Sequence, residues 1–304
     1  MELRTPYYLD VSTRPLLELE GPDCVDLLQR ISTNDVASLK VGEHTETVLT
    51  NEKGRVVDLL VVFRTGVNSL TLVGASNDQK QLAAWIQKFI VMEDIRLTFP
   101  GENRISILLF NMKDDQIFVE LTKMKVHSAQ LKPENSSRVL LVAERNMRGK
   151  LFEFFRANGF AQASRDIYAA YRIENGIPEY PNELSTRFNP LEIGLQHLIS
   201  FTKGCYVGQE VIARLDTYDK LRQTLQRLQL SSVPVTLPTD LEGSQNQRVG
   251  ILTSYCDAAD PGGQRRGLGV VQSDVSGLIL QYATAGGEME GKATLVTAEK
   301  GASS

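Results

Sequence analysis

The octapeptide KGCYVGQE, residues 203–210, sets a cysteine between a lysine–glycine pair and a second glycine. If this stretch is extended, its period of two puts Lys203 and Cys205 on one face. An ammonium beside a thiol favours the thiolate, which is the nucleophilic form. Gly204 and Gly208 remove side-chain bulk on either side, permitting sharp turns or the close approach of a ligand. Cys205 is therefore a candidate reactive thiol, and its competing reading is a small buried hydrophobe. Cys24 and Cys256 carry only that second reading, Cys24 because it falls on an apolar helical stripe.

Two carboxylates add further candidates. In VLTNEKGRVVDLLVV (48–62), NEKG reads as a tight turn between two strands and delivers Asp58 into an otherwise apolar strand. A buried carboxylate is costly unless paired, so Asp58 marks either a polar pocket or a strand position facing solvent. In YRIENGIPEYPNEL (171–184), Glu174 precedes a Gly-Ile-Pro turn among apolar and glycine residues. A carboxylate that accepts two parallel N–H bonds suits a flat, amidine-like edge such as a pterin ring; a solvated glutamate is the alternative.

Other chemistries lack support. The three histidines, His44, His127 and His197, are scattered, and no Cys or His pair has metal-ligand spacing. Neither a GxxxxGK[ST] loop nor a strand-linked GxGxxG occurs, and no helix-turn-helix or zinc-finger signature is present. A net charge of -4 gives no global attraction to nucleic acid or anionic membranes, so neither is expected as a direct partner. The longest nearly unbroken apolar run, VVDLLVVF, is too short to span a bilayer. The three cysteines show no close pairing, and MELRTPYYLD resembles neither a secretory signal nor a transit peptide, which points to the cytoplasm.

The elements that must position these residues follow from periodicity. With 304 residues, 42% of them hydrophobic and 23% charged, the chain can bury a large core. GPDCVDLLQRI (21–31) repeats apolar residues at helical spacing with Pro22 near its first turn. A second helix is expected over about 78–91, with Leu82, Trp85, Ile86 and Phe89 inward and Asn77 or Asp78 as cap. VVDLLVVF and SLTLVG read as adjacent strands around RTGVN, and RISILLF, 116–121 and RVLLVA continue the strand count. KLFEFFRANGF reads as a short helix closed by Gly159. The result is an α+β region whose helices cover one face of a mostly antiparallel sheet. Beyond about residue 220 the short runs LQRLQL, VGILTSY, GLGVVQ, GLILQY and KATLV alternate with EGSQNQ, DPGGQRR and TAGGEMEG. That texture predicts a small β-barrel or sandwich, with a frayed TAEKGASS tail.

Taken in order, these segments resemble one family. KGCYVGQE, with its lead-in FNPLEIGLQHLISFT and the following LDTYDKLRQTL, resembles the signature of the YgfZ proteins. These are folate-binding relatives of the glycine-cleavage T-protein, GcvT, an aminomethyltransferase. GPDCVDLLQRISTNDV with TNEKGRVVDLLVV resembles the N-terminal part of the T-protein fold, and YRIENGIP its pterin-glutamate segment. The resemblance implies a cloverleaf: a split α/β region over 1–220 with a ferredoxin-like portion, then an antiparallel β-barrel over 221–304. It implies tetrahydrofolate or a one-carbon derivative in a central hole, and a role in maintaining iron-sulfur enzymes, including those that modify tRNA. By the same resemblance Cys205 is the functional thiol, Lys203 its basic neighbour and Glu174 the pterin anchor; in the one-carbon-transferase alternative Asp58 lies near the reacting nitrogen. The T-protein has consecutive aspartates where this chain has Asp58-Leu59, and it lacks the KGCYVGQE thiol. Implied partners are therefore a folate and iron-sulfur client or assembly proteins; a folate-dependent one-carbon transferase is the alternative, and a folate-binding scaffold a third.

Overall fold

The computed structural model describes residues 5–112, 116–124, 126–133, 137–217, 221–243, 246–257, 265–275, 279–284 and 291–296. The first stretch holds β1 (Tyr7–Asp10), β2 (Leu16–Glu20), α1 (Cys24–Ile31), β3 (His44–Thr50) and β4 (Val56–Gly66). It continues through β5 (Ser69–Gly74), α2 (Gln79–Gln87), β6 (Arg96–Thr98) and β7 (Arg104–Phe110). Next come α3 (Gln116–Lys123), β8 (His127–Leu131), β9 (Arg138–Glu144), α4 (Arg148–Ala157), β10 (Ala161–Gln162), α5 (Arg165–Glu174) and α6 (Gln209–Thr217). The last part is all strand: β11 (Gln223–Leu230), β12 (Thr239–Glu242), β13 (Arg248–Cys256), β14 (Arg265–Gln272), β15 (Leu280–Tyr282) and β16 (Gly291–Leu295).

The strands form two five-stranded sheets and a closed barrel. One sheet runs β3-β4-β5-β2-β6 and the other β10-β1-β7-β9-β8, so the chain lays down β1 in the second sheet, builds the whole of the first, and returns. The barrel closes as β11-β14-β13-β12-β15-β16, with every neighbouring pair antiparallel. This is a mixed α+β fold with a C-terminal antiparallel barrel. The expected single sheet with helices on one face is in fact two sheets packed face to face. Val61, Phe63 and Val73 of one meet Leu108, Phe110, Leu140 and Val142 of the other in a shared core.

Helices seal the outer faces. The α1 stripe of Cys24, Leu27, Leu28 and Ile31 is fully buried with Leu82, Ala83 and Ile86 of α2 against Leu60, Val62, Leu70 and Leu72. Asp78 caps α2 by accepting from the Gln81 N–H. On the far side, Leu151, Phe152 and Phe155 of α4 cover Ile107, Leu109 and Leu141. Residues 116–121, expected as a strand, are helical. Ile117 and Leu121, four apart, face this outer core and Val119 points out, whereas Ile117, Val119 and Leu121 at alternate positions also match a strand. The TAEKGASS tail and most of the DPGGQRR and TAGGEMEG turns lie outside the described residues.

A buried polar clip joins α5 to the barrel. Arg172 donates to Ser254 Oγ at 2.7 Å and to Glu183 Oε2 at 3.2 Å, and Glu183 also accepts from Ser254 Oγ at 2.7 Å and from Thr253 Oγ1. Arg172 also pairs with Glu179 at 2.8 Å, so loss of Glu183 leaves it a partner, whereas loss of Arg172 would strand the buried Glu183 carboxylate.

Candidate functional site

Residues 200–208, which carry Lys203 and Cys205, form a loop rather than a strand, and the two side chains part. The Lys203 ammonium turns inward and donates to the carbonyls of Gln29, Ser32 and Asn34 at 2.6, 2.6 and 2.7 Å. Those carbonyls belong to the C-terminal end of α1 and the chain just beyond it, where helical acceptors are left unsatisfied and a cation is favoured. Burial pulls the Lys203 pKa down to about 8, with the Asp35 carboxylate pulling the other way. The ammonium also lies 5.2 Å from the Tyr206 ring centroid, and burial pushes that phenol up to about 12.

Further bonds hold the loop. Ser200 N–H donates to Thr33, Val207 N–H to Arg30, and Thr50 Oγ1 to the Val207 carbonyl at 2.6 Å. Gly208 has φ +84, and a Cβ there would sit 2.6 Å from the Asn51 carbonyl oxygen, so only glycine fits. Gly204 meets no such obstacle. Within this anchored loop Cys205 is exposed, whereas Cys24 and Cys256 are buried.

Asp58 points inward, with 3% exposure, so the solvent-facing alternative does not hold. Its Oδ1 accepts from the N–H groups of Leu59, Ala75 and Ser76 at 2.8, 3.0 and 3.1 Å, and its Oδ2 from Ser76 Oγ at 2.6 Å. Burial raises its pKa, and those four bonds oppose the rise. Strand alternation sends Asp58, Leu60 and Val62 toward the α1–α2 layer, and Leu59 and Val61 toward the opposite side.

That opposite side borders a narrow cavity of about 40 Å³ where the two sheets and the 177–198 segment converge. Its charged lining includes Glu46 of β3, Arg14, Lys132, Arg138 and Glu179. Glu46 is 7% exposed and accepts from the Lys132 N–H. Burial raises its pKa, and Arg138 is the foremost opposing charge. His197, between Leu195 and Leu198 in the sequence, has its Nε2 buried and without a partner among the described residues. Burial and the charges of Lys132 and Arg138 lower its pKa, keeping the ring neutral at neutral pH. The sequence reading missed Glu46 and His197; the available signal for Glu46 was a carboxylate in the middle of a strand, HTETVLT.

Glu174 lies elsewhere. It ends α5, is 47% exposed, and takes both oxygens to Arg266 of the barrel at 3.0 and 2.9 Å, with Arg227 at 3.8 Å. Its surroundings are arginines of the barrel rather than the apolar and glycine residues its own sequence suggested. It is not among the residues lining the central cavity. The structure thus gathers Lys203 and Cys205 on one loop, sets Asp58 behind the sheet, and leaves Glu174 at the barrel interface.

This architecture superimposes on a solved glycine cleavage system aminomethyltransferase T from Bartonella henselae with a TM-score of 0.77, covering 97% of this chain and 85% of that one at 17% identity. The chain has the aminomethyltransferase fold. Residues 6–132 match the family model described as the GCVT N-terminal domain. Among curated proteins, a protein of Arabidopsis thaliana named as a chloroplastic transferase is 26% identical over 289 residues, 89% of this chain. Aminomethyltransferases of Thermoanaerobacter pseudethanolicus and Symbiobacterium thermophilum are 23% and 27% identical over 67% and 68% of it. The chain spans 66%, 62% and 63% of the lengths of these three relatives. Among the described residues no helix is long and apolar enough to cross a membrane, and no group of three His, Cys, Asp or Glu could hold a metal ion. Within this GcvT-like frame, Leu59 is the residue of the Asp58-Leu59 pair that faces the central cavity.

Proposed function

We propose that the protein is a tetrahydrofolate-binding accessory factor for the assembly or repair of iron-sulfur enzymes, tRNA-modifying ones among them, with Cys205 as its functional thiol. The observation that carries this reading is the contrast among the three thiols. Two are packing atoms, while Cys205 is held at the surface by a loop with bonds at Ser200, Lys203 and Val207. Such a thiol would meet a cluster or sulfur carrier on a client, which is then substrate rather than resident cofactor. The cytoplasm is the proposed compartment, residues 1–220 the folate-binding region and 221–304 the barrel domain.

The central cavity has a donor set that fits a reduced folate. Glu46 offers a carboxylate for the amino-pyrimidine edge, Leu59, Val61 and Leu198 flank the ring, and Arg14 or Lys132 can meet an anionic tail. At about 40 Å³ it has room for little more than one water, whose share of liquid is about 30 Å³, so a ring enters only as side chains part. Bound folate would supply a one-carbon carrier. This chain's part is to hold it and exclude water. Lys203 acts on Cys205 by fixing its loop, Asp58 ties β4 to the chain just after β5, and Glu174 serves the barrel interface.

Calorimetric titration with tetrahydrofolate tests the reading. Wild type should bind, Cys205→Ser should bind equally, and Glu46→Gln should bind about ten- to a hundredfold more weakly, the loss of one charge-assisted contact. Equal affinity in the Glu46 variant removes the cavity assignment. The fold likeness over 97% of the chain also favours a second reading, a folate-dependent one-carbon transferase. Against it stand apolar Leu59 on the cavity side and Asp58 turned away. Turnover of a methylamine-type substrate with purified protein and tetrahydrofolate would select that second reading.

A further inference from the structure

We propose that the cleft between α2 and residues 180–186 is a second ligand site, separate from the central cavity, for an amino-heterocycle that carries an anionic tail. It encloses about 400 Å³, within the roughly 300–1,000 Å³ usual for small-molecule pockets. It lies on the Asp58 face of β4, whereas the central cavity lies on the Leu59 face, so the sheet separates the two.

The lining has the makings of such a site. Asp58 Oδ1 is filled by three N–H donors, but among the described residues Oδ2 takes only the Ser76 hydroxyl and can accept a second donor. Ser185 Oγ, also in the lining, is buried without a partner among the described residues, a costly arrangement unless a ligand completes it. A free acceptor and a free hydroxyl in one wall complement the paired donor and acceptor on the edge of an aminopurine or aminopyrimidine. Half-buried Trp85 and Tyr180 supply flat apolar walls for its ring. Lys88, exposed on the same lining and without an ion pair among the described residues, is placed to meet a phosphate or carboxylate tail.

The chain has one tryptophan, Trp85, so its emission reports on this cleft alone. Adenosine 5′-monophosphate titrated into the full-length protein should change that emission saturably, with a Kd at or below about 1 mM. Lys88→Glu should weaken the response at least about tenfold, and Ser185→Val should weaken it too, while circular dichroism stays that of wild type. Tetrahydrofolate affinity measured by calorimetry should be unchanged in Lys88→Glu. No saturable change with the nucleotide, or a response undiminished in both variants, overturns the proposal. So does a Lys88-dependent response to tetrahydrofolate, which would make this cleft the folate site. Failure of tetrahydrofolate to bind at all would sink the proposed function and leave this site standing.

Discussion

Replacing Lys203 with methionine keeps the aliphatic stem and removes the ammonium that joins the Cys205 loop to α1. Wild type makes three hydrogen bonds of 2.6–2.7 Å from that one group. A hydrogen bond to a charged group contributes about 1.5–3 kcal/mol, but three from one ammonium do not add, and the variant escapes the cost of burying a charge. A net loss of about 2 kcal/mol follows. At roughly 2–4 °C per kcal/mol for chains of somewhat smaller size, the melting temperature should fall by about 4 °C. Hydrogen exchange should accelerate at 200–208 and at the last turn of α1, while the barrel strands stay protected. Lys203→Arg should rescue poorly, because a planar guanidinium cannot aim its donors at three converging carbonyls. The sign of the pH dependence also follows. The folded pKa of about 8 lies below the ordinary 10.5, so the unfolded chain holds more protons between those values. The Lys203 contribution to stability therefore grows as pH rises across that window, and Lys203→Met should lack that slope. Unchanged melting and unchanged exchange at 200–208 would refute the clip.

Asp58→Asn replaces an oxygen that accepts a donor with an amide group that cannot, and should cost about 1–3 kcal/mol in urea unfolding; a neutral result would mean its four bonds are dispensable. Glu174→Ala should cost less than about 1 kcal/mol, since its arginine pairs are partly exposed, and should leave tetrahydrofolate affinity unchanged in calorimetry. Cys205 should be alkylated well before Cys24 and Cys256 in the native protein, because the other two are buried; mass-spectrometric footprinting with equal rates for all three would contradict that.

What the sequence disclosed was local, and what it withheld was long-range. The α1 and α2 stripes and five of the six barrel strands were legible because one buried face recurs at a fixed period, whereas the four-residue β12 was not. Helix α3 was not, since Ile117, Val119 and Leu121 at every second position also read as a short strand. Asp58 posed a choice between core and solvent, and the answer depended on α2 and residues 180–186 covering that face, which β4 alone cannot reveal. Lys203 pairs across some 170 residues and Glu174 across 92, so neither partner could be read from flanking residues. Glu46 gained its meaning only when the two sheets stacked and brought Lys132 and Arg138 beside it.

The central claim is a surface thiol that acts separately from folate binding, and Cys205→Ser in a strain deleted for the gene tests it most directly. The substitution changes sulfur to oxygen at an exposed position, so folding and tetrahydrofolate binding should match wild type. A serine hydroxyl is hardly ionised at neutral pH, so the variant should fail to restore iron-sulfur enzyme activity. Full restoration of that activity by Cys205→Ser would contradict the account.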